Sequence, residues 1–292
     1  MKNRDPNKQL IALLRASVNT LVDHPIILYP LCITVFIQLL TLEILYFSPR
    51  YPLSIFFAPI IKRIWSEVYL HYPLNYVLLP KLFYYVQVLI FVFIGGFLNA
   101  IAISMVTSIN SDKKTTLRSA VRENFPLYIH ILIASLASFY FFTFLSRAYK
   151  ILVDRFMLIK SEAAQKGVFL LKKAVVYGDP YINLLLGVLA TVVFVYVVPV
   201  IVIEKKKVIS AFILNIKNLL NSFWFMIGVI LFPTLLYVPV LLLRSNVSTI
   251  AENTAPGAYL IVLIISVFVT LAIDAVVFTA TTTFYLLKKE SA

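Results

Sequence analysis

Asp274 is the residue with the clearest capacity for chemistry, because it is a carboxylic acid near the centre of the apolar run VFVTLAIDAVVFTATTTFYLL. A charge at mid-bilayer costs about 2.5–3.5 kcal/mol even on a lenient insertion scale. Such an acid is expected to be protonated, to have a partner, or to face a wet cavity. We therefore take Asp274 as the first candidate for a buried polar or transport site.

Three further polar residues lie in other apolar runs and could join such a site. Asn99 and Gln87 belong to one run and could supply hydrogen-bond donors, whereas Glu43 lies near the outer end of another and is a weaker candidate. Two interpretations of Asp274 stay open. It could be a proton- or cation-coupled site in a transport path, or one buried hydrogen bond that fixes helix packing.

No residue pattern predicts a metal, a cofactor or catalysis. The histidines His24, His71 and His130 are scattered, and the single cysteine, Cys32, lies inside an apolar run, so the spacing typical of zinc sites is missing. The pair Gly95-Gly96 also lies in an apolar run, where it indicates close helix packing rather than phosphate binding. Paired acids or a nucleophile with a nearby base are not visible, so we do not predict an enzyme.

The composition is that of an integral membrane protein. Hydrophobic residues make up 61% of the chain and charged residues 13%, against about 45–50% and about 25% in soluble domains, and the mean hydropathy is +0.92. The formal charge of +13 lies between apolar runs and not on a soluble domain. We therefore expect it to contact anionic lipid head groups and to orient the chain, not to bind nucleic acid.

The apolar runs predict an all-α, polytopic membrane bundle. A crossing helix needs about 20 mostly apolar residues, and one transmembrane domain over residues 1–292 would hold six of them. The predicted crossings are 26–47, 81–108, 126–146, 181–203, 223–243 and 257–287.

Lysines and arginines set the expected orientation. When segment 147–173 is set aside, they concentrate on the side that holds both termini, which predicts cytoplasmic termini. The lysines expected to touch lipid head groups are Lys113, Lys114, Lys205, Lys206, Lys207, Lys288 and Lys289.

Segment 147–176 has polar and apolar residues on different helical faces and is predicted to be an outer amphipathic helix. It could extend the third crossing or lie on the membrane surface. It could be merely solvated, or it could dock a protein partner.

An internal repeat underlies the crossings. The segments LIALLRASVNTLVDHPIILYP, TTLRSAVRENFPLYIHILI and VISAFILNIKNLLNSFWFMIG each place an amphipathic helix before an aromatic or proline entry to a crossing. Aligning Pro25, Pro126 and Phe223 places Asp23, Asn124 and Asn221 at one elbow position, where each could cap the crossing helix. The prediction is three helical hairpins with interfacial elbow helices.

Residues 198–233 carry a resemblance to a known group. Their sequence is VPVIVIEKKKVISAFILNIKNLLNSFWFMIGVILFP, and the matching positions are Pro199, Glu204, Ala211, Asn215, Leu219, Phe223 and Trp224. The segment resembles poorly characterised six-helix bacterial membrane proteins similar to the membrane domain of glycerophosphodiester phosphodiesterases. The phosphodiesterase barrel itself has no counterpart here, and the group carries no activity to transfer. With the lysine asymmetry, the resemblance implies a multi-pass protein of a bacterial inner membrane.

Two functions compete at this point. The first is a non-enzymatic scaffold, assembly factor or accessory subunit of a membrane complex, whose partner would dock on the outer helix or on the inner elbows. The alternative is a small transporter or permease component for a lipid or other amphiphile, with Asp274 as its buried polar site.

Overall fold

A computed structural model of the chain describes residues 6–111, 113, 115–158, 167–253 and 255–290. The chain is 89% helical, and the described residues include no β-strand. Six helical segments are long and apolar enough to cross a membrane, as the composition predicts. These segments are Pro25–Tyr46, Leu74–Asn110, Leu117–Met157, Lys172–Glu204, Phe223–Ser245 and Ala258–Glu290.

The helices follow one another with short connections. The first seven α-helices are α1 (Pro6–Asp23), α2 (Leu28–Tyr46), α3 (Ser54–Ile64), α4 (Leu74–Ile90), α5 (Gly96–Asn110), α6 (Leu117–Asn124) and α7 (Tyr128–Leu158). The remaining ones are α8 (Gly167–Phe194), α9 (Val197–Glu204), α10 (Val208–Leu220), α11 (Phe223–Thr234), α12 (Val238–Ser245), α13 (Val247–Asn253) and α14 (Ala258–Glu290). Short 3₁₀ turns are Pro25–Ile27, Glu67–Leu70, Phe125–Leu127 and Leu235–Tyr237.

Neighbouring crossings pack in a closed ring. Helix α2 contacts α4 and α5, α5 contacts α7, α7 contacts α8, α8 contacts α11, and α11 contacts α14, which returns to α2. Helix α5 also contacts α9 and α14 across the bundle, and nearly every residue of its first half is buried. The second crossing is therefore central, and a polar group on α5 faces protein and not lipid.

Two of the crossings are interrupted near polar residues. Between α4 and α5 the helix widens into a π-helical segment, Phe91–Gly95, a feature that is frequent at functional sites. Between α8 and α9 the helix breaks at Val195 and Tyr196, four and three residues before Pro199. Proline has no amide hydrogen and its ring crowds the carbonyl four residues earlier, which accounts for the position of the break.

Helices α1, α6 and α10 lie at one end of the bundle, which we call the terminal end. Helix α1 packs on α14, α6 on α5 and α10 on α9. The amphipathic helix α1 turns its apolar stripe into the protein, because Leu10, Leu13, Ser17 and Leu21 are buried. The stripe of α10 is turned outward, because Ile209, Ile213, Ile216 and Leu220 are exposed.

The predicted capping role of the elbow polar residues is not what the structure shows. Asn124 makes no capping hydrogen bond to the following helix; its Nδ2 donates to the carbonyl oxygen of Ala120 at 2.8 Å. His24 and Ser222 occupy the corresponding N-cap positions of the other two entries and also make no side-chain cap. The elbow amide of Asn124 is thus used within its own helix.

The predicted outer helix 147–176 is divided between two elements. Residues 147–158 continue α7, and residues 167–176 form the first turns of α8, which packs against α7. Residues 159–166 lie outside the described part of the chain. Lys172 Nζ donates to the carbonyl oxygen of Met157 at 2.9 Å and ties the two helices together at this end.

At the opposite, distal end, α3 and the turn at Glu67–Leu70 cover the start of α4. Lys62 donates to Glu67, and this hydrogen bond, with the attraction of the same ammonium, lowers the pKa of the Glu67 carboxyl below its usual value. Both side chains are exposed, so the pair is screened by water and adds little to stability.

Candidate functional site

Asp274 is the central residue of α14 and lies between two cavities. Cavity A, of about 270 Å³, is enclosed by α2, α4, the π-helical segment, α5 and α14. Cavity B, of about 160 Å³, is enclosed by α5, α7, α8, α9 and α14. Asp274, Asn99 and Phe91 line both cavities. These three residues therefore form the wall that separates one cavity from the other.

The polar lining of cavity A comes from three crossings. It consists of Thr34, Gln38, Tyr84, Gln87, Asn99, Thr270 and Asp274. Gln87 Nε2 donates to Gln38 Oε1 at 3.4 Å, which links the first two crossings. Thr34 and Thr270 donate to carbonyl oxygens of their own helices, at 3.3 Å and 2.8 Å. Their hydroxyl oxygens can still accept hydrogen bonds from a molecule in the cavity.

The carboxylate of Asp274 is unsatisfied by the protein. Neither it nor the side-chain amide of Asn99 has a hydrogen bond or an ion pair with any residue that the structure describes. Asn99 is buried, and Asp274 is partly exposed to the cavities. A polar group in the apolar part of a membrane requires a partner. Asp274 is therefore either protonated or bound to a molecule, water or a ligand, that enters the cavities from outside the chain.

The sequence analysis named three of the residues around this site. Asp274, Asn99 and Gln87 come together at cavity A, although they belong to distant parts of the chain. Glu43 does not join them: it is exposed on α2 and does not line either cavity.

Gln38 is a site residue that the sequence analysis missed. It is buried, and it faces Gln87 across cavity A. A signal for it was present, because Thr34 and Gln38 are four residues apart in the first crossing and so lie on one helical face. Of the threonines on α14, Thr270 faces cavity A and Thr281 faces cavity B.

A third, larger and mostly apolar groove lies beside cavity B. Groove C has a volume of about 570 Å³ and is formed by α7, α8, α10 and α11. Its lining includes Phe141, Phe212, Phe223 and Trp224, and Trp224 is exposed. Phe194, the last residue of α8, lines both groove C and cavity B. The surface groove and the cavity that Asp274 lines are therefore neighbours at this side chain.

The lysines predicted to meet lipid head groups lie at the terminal end and divide into two groups. Lys113, Lys205, Lys207 and Lys289 are exposed, whereas Lys114 lies outside the described residues. Lys206 pairs with Glu204 at 2.7 Å, and Lys288 Nζ donates to the carbonyl oxygen of Asn218 at 2.7 Å. The second pair of lysines thus takes part in contacts within the chain.

Those contacts belong to a network that joins α9, α10 and α14. The hydroxyl of Tyr285 donates to Glu204 Oε1. The hydroxyls of Tyr196 and Ser222 lie 2.9 Å apart, and the Lys288 ammonium lies 5.8 Å from the centre of the Tyr196 ring. The network fixes the end of α14 against the loop that follows α9.

The described residues contain no group of three or more His, Cys, Asp or Glu side chains that could hold a metal ion. The arrangement at Asp274 offers one acid, several amides and hydroxyls, and space for a ligand. It can bind a polar group by charge and hydrogen bonds.

No family model, curated protein or solved structure matches this chain. The function is therefore inferred from the residues and the geometry of this chain.

Proposed function

We propose that this chain is a small transporter or permease component that binds the polar head of an amphiphile at Asp274. The observation that carries the proposal is the carboxyl group of Asp274, which has no partner among the residues that the structure describes and lines two cavities near the middle of the crossings. A lone buried acid that fixed helix packing would be expected to reach a donor on another helix. Asp274 reaches none among the described residues.

An amphiphile fits cavity A better than a wholly soluble substrate does. Tyr84 and Phe91 line the cavity and are 48% and 42% exposed, so the cavity reaches the surface of the bundle beside them. That surface lies along membrane-crossing segments and would face lipid tails. A molecule with a polar head in cavity A could keep its apolar chain in the bilayer through this opening.

Groove C supplies a second route for the apolar part of the ligand. It is rich in aromatic side chains, and Phe194 lines both the groove and cavity B. The head of a ligand could move past Phe194 towards Asp274 while its chain stays in the groove. In this scheme the protein binds the ligand and lets it move, and it carries out no covalent chemistry.

The proposed architecture is three hairpins, each entered through an elbow helix. The packing of α1 on α14, α6 on α5 and α10 on α9 supports it, because each elbow contacts the end of an even-numbered crossing. The outward stripe of α10 and the exposed lysines near it support contact with anionic lipid at the terminal end. The proposed location is a bacterial inner membrane with cytoplasmic termini, and the relation to the phosphodiesterase membrane domains stays part of the proposal.

The orientation is tested with single cysteines in a Cys32→Ser background. The variant Lys207→Cys, at the terminal end, is expected to react with a membrane-impermeant maleimide only in inside-out vesicles. The variant Lys150→Cys, near the distal end of α7, is expected to react with it in intact cells. The reverse pattern would overturn the proposed orientation.

A second candidate function is that of a scaffold or accessory subunit of a membrane complex. Helix α7 has 31 residues, or about 46 Å at 1.5 Å per residue, whereas the bilayer core is about 30 Å thick. Its distal turns and the start of α8 carry exposed apolar side chains, with Leu152 at 67% and Leu170 at 63% exposure. A projecting pair of helices with this surface favours a protein partner.

Purification in a mild detergent, followed by mass spectrometry of everything that accompanies the protein, tests both candidates. The transporter proposal expects a bound amphiphile that is retained by the wild type and by Glu43→Gln but lost by Asp274→Asn. Glu43→Gln is the matched control, because it makes the same acid-to-amide change away from the cavities. An equal lipid content in all three proteins would contradict the proposal, and a stoichiometric protein partner would favour the scaffold.

A further inference from the structure

The charge of the cavity walls indicates which class of head group Asp274 receives. Resting on the proposed function, we infer that the ligand is a cationic amphiphile whose head is an organic ammonium group. Four features of the cavities favour such a head: the sign of their charge, the size of cavity A, the aromatic rings at its opening, and the unused acceptors beside Asp274.

The two cavities carry charge of one sign. Asp274 is the only acidic or basic side chain among the described residues that line them, and no Lys, Arg or His faces it there. An anionic head would meet the Asp274 carboxylate with no compensating cation, and the repulsion would be strong at this depth. A cationic head would supply the missing counter-charge and would itself be stabilised by the acid.

The size of cavity A points to an organic cation, not a bare metal ion. Its volume of about 270 Å³ is several times the roughly 30 Å³ that one water occupies in the liquid. Ca²⁺ and Mg²⁺ are held by several oxygens within about 2.0–2.6 Å of the ion, and the described residues contain no group of three or more His, Cys, Asp or Glu side chains that could hold a metal ion. A bulky head with its own carbon atoms fills such a space.

Aromatic rings stand where the head would enter. Tyr84 and Phe91 both line cavity A, and both are exposed at the surface of the bundle. The faces of aromatic rings attract ammonium groups, and the attraction is greater where water is excluded. An ammonium head would thus find a favourable surface before it reaches the carboxylate.

Acceptor oxygens complete the site. Gln87 uses its Nε2 to reach Gln38, which leaves its Oε1 available, and Asn99 has no hydrogen bond to a described residue. Amide oxygens can accept hydrogen bonds from an ammonium group or point their dipoles at it. The lining therefore favours a cation by charge, by ring faces and by acceptors.

The test compares two radiolabelled probes with the same alkyl chain, dodecyltrimethylammonium and dodecanol, in uncharged maltoside micelles. Bound probe is counted after rapid gel filtration, so that unfolded protein is removed before counting. The wild type is expected to bind the ammonium probe at least about tenfold more tightly than the alcohol. A tenfold ratio of dissociation constants corresponds to about 1.4 kcal/mol of binding free energy. Asp274→Asn is expected to lose this preference, whereas Asp274→Glu and Glu43→Gln keep it.

The possible outcomes separate the inference from the proposed function. If the wild type binds both probes equally, and Thr270→Phe, which narrows cavity A, abolishes the binding of both, the ammonium assignment is wrong and the amphiphile site stands. If neither probe binds, both are wrong. If Na⁺ without any probe raises the melting temperature by as much as the ammonium probe does, and Asp274→Glu keeps that rise, the site takes an inorganic cation and the ammonium assignment is wrong. The wild-type comparison needs no variant, so it decides the preference even if Asp274→Asn does not fold.

Discussion

The side-chain amide of Asn215 completes the hydrogen bonding of the backbone at Tyr196. Asn215 Oδ1 accepts from the Tyr196 amide at 2.9 Å, and Asn215 Nδ2 donates to the carbonyl oxygen of Val193 at 2.7 Å. The break before Pro199 leaves this donor and this acceptor without their usual helical partners. Asn215, a residue of α10, thus stabilises the break between α8 and α9. This break shapes cavity B, whose wall includes Phe194 and Val195.

Replacing Asn215 by alanine is expected to destabilise the protein by about 2 kcal/mol, because the buried amide of Tyr196 and the partly buried carbonyl of Val193 would both lose their partner. The measurement is thermal unfolding in detergent. Asn218→Ala is the matched control: Asn218 is on the same helix, and its contacts with Ser222 and Lys288 use its backbone oxygen. Equal melting temperatures for the two variants would show that the Asn215 bonds contribute nothing.

Gly96 permits the close approach of α5 to α7. A Cβ atom on Gly96 would lie 2.1 Å from Ser135 Oγ and 3.2 Å from Ser135 Cβ. Gly96→Ala is therefore expected to cost about 1–3 kcal/mol, the usual range for overpacking. Gly95→Ala should be tolerated, because its nearest new contact is at 3.5 Å.

Adding Ser135→Ala to Gly96→Ala removes the closer of the two contacts and is expected to restore most of the lost stability. Thermal unfolding of the single and double variants measures the coupling. If the two changes simply add, the packing account of Gly96 is incorrect.

The contact of Tyr285 with Glu204 holds the last turns of α14 to the last residue of α9. Tyr285 is 3% exposed and its hydroxyl donates to the carboxylate. Tyr285→Phe keeps the ring and removes the donor, and we expect a loss of about 1 kcal/mol, within the range measured for side-chain hydrogen bonds in membrane proteins. Tyr259 lies on the same helix, and its side chain makes no hydrogen bond to a described residue. Tyr259→Phe is therefore the control and should have the melting temperature of the wild type.

Lys205 ends α9 in a left-handed conformation, with φ 53° and ψ 32°. Glycine adopts this region without the steric cost that a Cβ brings. Lys205→Gly is expected to stabilise the protein by about 0.5–1 kcal/mol. Lys207→Gly is the comparison variant, since Lys207 has φ −67° and therefore no left-handed strain for glycine to relieve. A higher melting temperature for Lys207→Gly than for Lys205→Gly would exclude strain at Lys205.

The positions of the crossings could be predicted closely from the sequence. Each predicted run lies mostly within an observed helix, because about 20 apolar residues in succession leave the backbone no other way to satisfy its hydrogen bonds in lipid. The prediction of one outer helix over 147–176 was less accurate, since amphipathic periodicity does not mark where α7 ends or where α8 begins.

The sequence alone determined that the chain is a helical membrane protein and that Asp274 is its deep acid, since hydropathy and charge are local properties of a run of residues. The packing of the helices, which composition does not reveal, brings Gln38, Gln87 and Asn99 to one cavity with Asp274, leaves Glu43 apart, and bonds Asn215 to the break between α8 and α9. A helix turns 100° per residue, so its packing partners, and not the composition of the run, select which face meets the interior.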